Sequence, residues 1–134
     1  MKFEITKREK EGISILDASG KLIMGESATL LRQVFSETLA AGSKNVILNL
    51  ADVDYIDSTG LGALVMCHTK AEDLQGVMKL LNLSKRAIEL MVLTKLTTIF
   101  DIFTDEQDAV NSFFPDRKIE RFDILSFLQQ NKGQ

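Results

Sequence analysis

The sequence predicts an α/β fold: one domain built on a mixed β-sheet with packed α-helices, plus a short C-terminal helical extension. Three observations carry this reading. Short apolar runs rich in β-branched residues, of which residues 45–50 (Asn-Val-Ile-Leu-Asn-Leu) are the clearest, alternate with segments whose apolar residues recur at helical spacing. The chain opens on a hairpin pattern, so its first strands run antiparallel and the sheet is mixed. At 134 residues it is near the usual size of one compact unit, with no room for a second.

Taking the elements in order, Phe3 and Ile5 alternate with polar residues, and Ile13, Ile15 and Leu16 resume after the charged turn 9–12, which gives the hairpin. Gly20 breaks the pattern before residues 21–24, read as a short third strand or its edge, which Gly25 ends. Ser27 is placed to cap a helix running to about Ala41, with a stripe of Leu31, Val34, Phe35 and Leu39 and a stop at Gly42. The 45–50 strand follows, then a turn and a second helix that carries Leu61, Leu64, Val65 and Leu74 and stops at Gly76.

Residues 77–83 return as a strand, and Ser84 caps a third helix that turns Ala87, Ile88, Met91 and Val92 inward. Phe100, Ile102 and Phe103 form a last short strand. Residues 104–107 (Thr-Asp-Glu-Gln) have the spacing of a capping box for a helix bearing Ala109, Val110, Phe113 and Phe114, which Pro115 stops. The domain therefore spans residues 1–115 and the extension residues 116–134, where Ile119, Phe122, Leu125 and Leu128 recur every three residues. That face either packs back onto the domain or makes a dimer or partner contact.

Composition narrows the function classes. A charged fraction of 26% and an apolar fraction of 45% are those of an ordinary globular protein. The net charge of -3 leaves no basic stripe for nucleic acid or an anionic membrane, so any effect on transcription would run through another protein. The N-terminus carries charges where a signal peptide needs an apolar core, and no run approaches the ~20 apolar residues of a membrane span. A soluble cytoplasmic protein without direct membrane insertion is the expectation. The single cysteine, Cys67, excludes an internal disulfide.

The most informative stretch joins the clearest strand to the clearest helix: residues 52–62, Asp-Val-Asp-Tyr-Ile-Asp-Ser-Thr-Gly-Leu-Gly. Asp57 or Ser58 can cap the helix by accepting a hydrogen bond from a first-turn N–H. The same donors and the positive end of the helix dipole make the site hospitable to an anion. A phosphate on Ser58 would add roughly two negative charges beside Asp57, enough to turn a contact surface against its partner. Gly60 and Gly62 would leave the backbone bare for close approach. The plain alternative is that Ser58 is only a cap and the glycines only relieve a crowded turn.

These residues carry a resemblance. Leu50, Val53 and Ile56 followed by Asp57-Ser58-Thr59-Gly60-Leu61-Gly62 resemble the signature of STAS domains, in particular the stand-alone anti-sigma factor antagonists of bacteria, over roughly residues 3–114. The resemblance implies a central mixed sheet with packed helices. It also implies a phosphorylated serine at Ser58, with Thr59 as second choice, modified by an anti-sigma factor that is itself a serine kinase and restored by a PP2C-type phosphatase. The partner-binding residues expected are Met24, Gly25, Asp57, Ser58, Thr59, Gly60, Leu61 and Gly62, together with Tyr55, read from the sequence as an exposed aromatic at a binding face or else a loop aromatic packed over the edge of the core. In the family a Gly-x-Leu turn before the first helix is followed by an acidic residue; Gly20-Lys21-Leu22 matches, while Ile23 holds the acidic place and Glu26 is the nearest carboxylate.

An enzyme is disfavoured. The sole histidine, His68, follows Ser58 by ten residues on one helix, about 15 Å along its axis, so the two cannot pair. Cys67 and His68 are adjacent and face different directions, which suits neither a dyad nor a metal site. No phosphate-cradling loop ends in Lys-Ser/Thr, and no cofactor is expected. The expected role is a phosphorylation-controlled binding switch whose unmodified form holds the anti-sigma factor and so releases a sigma factor. The alternative is a STAS scaffold subunit that works without phosphorylation, in an ABC lipid transporter or a signalling assembly.

Overall fold

The computed structural model describes residues 2–119 and 124–132. Its elements are β1 (Glu4–Lys10), β2 (Ile13–Leu22), α1 (Glu26–Ala40), β3 (Asn45–Ile56), α2 (Ser58–Asp73), β4 (Val77–Leu81), α3 (Lys85–Leu93), a 3-10 turn (Leu96–Thr98), β5 (Ile102–Phe103), α4 (Glu106–Asn111) and α5 (Ile124–Lys132). The five strands form one sheet in the order β1-β2-β3-β4-β5. The β1–β2 pair is antiparallel and the other pairs are parallel, so the sheet is mixed as the opening hairpin predicts.

Strands β2 to β5 add in sequence, each parallel to the last, so the connections cross in one sense and carry their helices to one face. Residues of α1, α2 and α3, among them Leu31, Phe35, Leu64, Ile88 and Met91, pack there on Leu16, Leu48 and Leu80 of the sheet. Ile124, Phe127 and Leu128 of α5 pack against the same core. The other face is covered by α4: Ala109 and Val110, with Phe113, Phe114 and Ile119, lie on Ile13, Ile15, Ile47, Leu81 and Phe103. Phe122 lies outside the described residues, and Leu125 is exposed.

Helix ends explain several boundaries. Gly42 takes a left-handed φ of 104° while its N–H and that of Ser43 donate to Leu39 and Thr38, the bond pair that closes a helix C-terminus. At the end of α2 the left-handed residue is Gln75 (φ 60°), not Gly76, although the same two bonds form, from Gln75 to Glu72 and from Gly76 to Ala71. Gly76 is needed for space: a Cβ there would lie 2.5 Å from the Lys44 carbonyl oxygen.

Other expectations are corrected. Residues 21–24 are not a third strand: β2 runs through Gly20, which forms a register shift in the β2–β3 ladder, and ends at Leu22. The 45–50 strand extends to Ile56, pairing with β2 alone beyond Asn49, which places Tyr55 in the strand. Ser27 does not cap α1; it is buried and bonds back to Ile23 through both the N–H and the C=O of that residue, at 2.8 Å each. The cap of α4 is Asp105, not Thr104, and the helix ends at Asn111, four residues before Pro115. β4 ends at Leu81 instead of residue 83, and Val92 faces outward, 40% exposed.

Candidate functional site

Leu22 and Ile56 are register partners at the ends of β2 and β3. Because the two strands are parallel neighbours, the segments after them emerge side by side at one end of the sheet, the end at which parallel sheets usually bind. Residues 23–25 lead into α1 and Asp57 leads into α2. β3 extends past its last β4 partner, so this β2–β3 end stands beyond the rest of the sheet.

Asp57 is the cap. Its backbone is extended (φ -94°, ψ -178°), its Oδ1 accepts from the Gly60 N–H at 2.7 Å, and its carbonyl accepts from the Leu61 N–H at 2.9 Å. Its own N–H donates to the Leu22 carbonyl at 3.2 Å, and its Oδ2 accepts from the Met24 N–H at 3.0 Å. One residue thus ties α2 to its own cap and to the loop after β2. The capping oxygen could be foreseen from the sequence. The bond to Met24 could not, because it depends on strand register.

Ser58 is the first residue of α2, exposed beside exposed Thr59. Around them Met24 (73%), Tyr55 (48%), Gly25 and Gly62 are also exposed. Gly60 and Leu61 are buried beneath. The two glycines differ in kind. A Cβ on Gly60 would lie 2.9 Å from the Leu22 carbonyl carbon and closer still to its oxygen, whereas one on Gly62 would meet nothing within 4 Å. Gly60 serves packing inside the molecule, and Gly62 leaves a bare outer surface. An open groove of about 870 Å³, lined by Phe3, Lys21, Met24, Leu30 and Gln33 among others, adjoins Met24. Glu26, the carboxylate nearest the turn in sequence, is exposed in the first turn of α1.

Elsewhere the chemistry is structural. His68 Nε2 lies 2.8 Å from Glu72 on the next turn of the same helix, and the ring stands edge-on to Phe100 at 5.6 Å. Cys67 is buried, and burial pushes its thiol up to about 12, well away from a reactive thiolate. Among the described residues no group of three His, Cys, Asp or Glu side chains could hold a metal ion, and no helix is long and apolar enough to cross a membrane.

Known proteins resemble this arrangement. The model of the STAS domain family matches residues 4–109. The anti-sigma-B factor antagonist of Bacillus subtilis is 38% identical over 84 residues, covering 63% of this chain and 76% of its own length. A candidate anti-sigma factor antagonist from Thermotoga maritima superposes with a TM-score of 0.75 at 27% identity, over 81% of this chain and 92% of its own. The phosphorylated form of the Bacillus cell fate determinant SpoIIAA shares the fold, with a TM-score of 0.64 at 18% identity over 84% of this chain and 99% of its own.

Proposed function

The chain belongs to the STAS domain family and, within it, to the anti-sigma factor antagonists, and from that premise we propose that it is a protein-binding switch thrown by phosphorylation of Ser58. Unmodified, it binds an anti-sigma factor that is also a serine kinase, and the sigma factor is released. Phosphorylated, it lets the partner go until a PP2C-type phosphatase restores the hydroxyl. The cycle takes place in the cytoplasm.

The observation that carries this reading is the place of Ser58: an exposed hydroxyl opening a 16-residue helix, directly after the Asp57 carboxylate that also holds the loop of exposed Met24 and Gly25. A phosphate at a helix N-terminus is favoured by the dipole, so the fold tolerates it. The cost falls on the complex, where roughly two added negative charges meet a surface fitted to a neutral hydroxyl. Buried Gly60 and Leu61 support that surface from below. Residues 116–134 form an extension outside the switch.

The test is a pair of variants. Ser58→Ala should retain the anti-sigma kinase whatever the ATP supply, and Ser58→Asp should lose it, with phosphate found on Ser58 of the native protein by peptide mass spectrometry. Equal retention by the two variants would sink the switch. Phosphate on Thr59 alone would move it one residue.

A further inference from the structure

We infer that Asp57 is a positioning residue whose second carboxylate oxygen fixes Met24 in the partner-facing surface; the inference rests on the switch proposed above. The two oxygens of Asp57 are divided between two elements: Oδ1 takes the Gly60 N–H of α2, and Oδ2 takes the Met24 N–H of the loop after β2. A carboxylate offers a separate acceptor oxygen to each of the two donors, whereas Ser or Thr at the cap has one oxygen and the second atom of Asn is a donor. Capping alone does not call for Asp, because Asn and Ser cap as well.

Met24 sits between two anchored residues. On its far side Gly25, at φ 105°, caps α1, its carbonyl accepting the Thr29 N–H at 3.2 Å. On its near side Ile23 is tied to Ser27 of α1. Asp57 therefore closes a bracket: the loop is pinned to α1 at Ile23 and to α2 at Met24. The Met24 side chain, a long adaptable thioether at 73% exposure, is presented on a backbone held by the Asp57 carboxylate. A surface set in place before binding loses less freedom when the partner arrives.

The test is Asp57→Asn in the full chain. Asn keeps the cap to Gly60 but turns an N–H toward the Met24 N–H, which removes that one bond. The Met24 amide should then exchange with solvent at least about fivefold faster by NMR, while the Gly60 amide keeps its wild-type rate. Unchanged exchange at Met24, or equal acceleration at both amides, would overturn the inference without recourse to any partner.

The second readout uses the anti-sigma kinase recovered on the unphosphorylated chain. Asp57→Asn and Met24→Ala should each raise the KM for Ser58 phosphorylation by about tenfold with kcat held within about twofold, and the double variant should be no worse than either alone. Losses that add would show that the two residues act separately and would overturn the inference. Failure of the switch itself looks different: Ser58→Ala and Ser58→Asp would retain the kinase equally, and the exchange result would still decide the role of Asp57.

Discussion

Gly60 in the first turn of α2 lies directly against the backbone of Leu22 at the end of β2, with no space for a methyl group between them. The contact sets how closely α2 approaches the β2–β3 end, and hence where Ser58 stands. Gly62, half a turn on, faces open space. The two glycines of the motif therefore give opposite predictions.

Gly60→Ala should destabilise the fold by about 2 to 3 kcal/mol, because the two nearest atoms it meets are backbone and cannot swing aside. Gly62→Ala should stabilise it by about 0.5 to 1 kcal/mol through helix propensity while weakening the partner complex. Urea unfolding of the two variants, with binding measured in parallel, checks both signs.

Arg8 on β1 donates to Asp17 of β2 at 2.6 Å and 3.2 Å, and to Glu106 of α4. Burial by itself would raise the Asp17 carboxyl, but hydrogen bonds from Arg8 and Asn49 outweigh it and hold the group below its usual range. The hydrogen bond from Arg8 holds Glu106 low as well. Carboxyls depressed in the folded state stabilise it above their unfolded values, near pH 4, and lose that contribution as pH falls through the folded ones. Arg8→Ala should cost about 0.5 to 1 kcal/mol at pH 7, the solvent exposure of the pair being allowed for, and the difference should shrink toward pH 2. Thermal unfolding of both proteins across pH 2–7 measures it.

Gln75 closes α2 in a left-handed conformation that glycine adopts without strain. Gln75→Gly should raise stability by about 0.5 to 1 kcal/mol, and Gly76→Ala should lower it by more than that, since its Cβ meets the Lys44 carbonyl. Combining Gln75→Gly with Gly76→Ala would join the small gain to the larger loss, and the denaturation midpoint should fall.

Cys67, with its thiol pushed up to about 12 and buried, should react with alkylating reagents about a thousandfold more slowly than a free thiol at pH 8. Unfolding in guanidinium should restore the ordinary rate. Fast labelling of the native protein would show that the α1–α2 contact opens.

Much of the fold is legible because the periodicity is clean where burial is one-sided: Leu31 and Phe35 of α1 and Ile88 and Met91 of α3 face the core that their spacing predicts. The sequence reading ends β3 too early for a physical reason. Beyond Asn49 the strand pairs on one side only and is interrupted by register shifts against β2, so Asp52, Asp54 and Tyr55 are exposed and the continuous buried run of residues 46–48 gives way. Ser27 has the chemistry of a cap, but Gly25, at φ 105°, caps α1 two residues earlier and leaves the hydroxyl to bond back to Ile23. At the candidate site the motif locates Ser58 and offers Asp57 as a cap. What joins Met24 to them is the parallel register of β2 and β3, which no local spacing encodes.

The order of the sheet has a consequence for aggregation. An open sheet has two rims along which a foreign strand could add by backbone pairing. One rim here is β1, which carries Glu4, Lys7, Arg8 and Glu9, and the other is β5, only two residues long. A charged rim and a truncated one both discourage runaway stacking of copies. Both rims discourage edge-to-edge pairing, which leaves encounters with other proteins to side chains and helix starts.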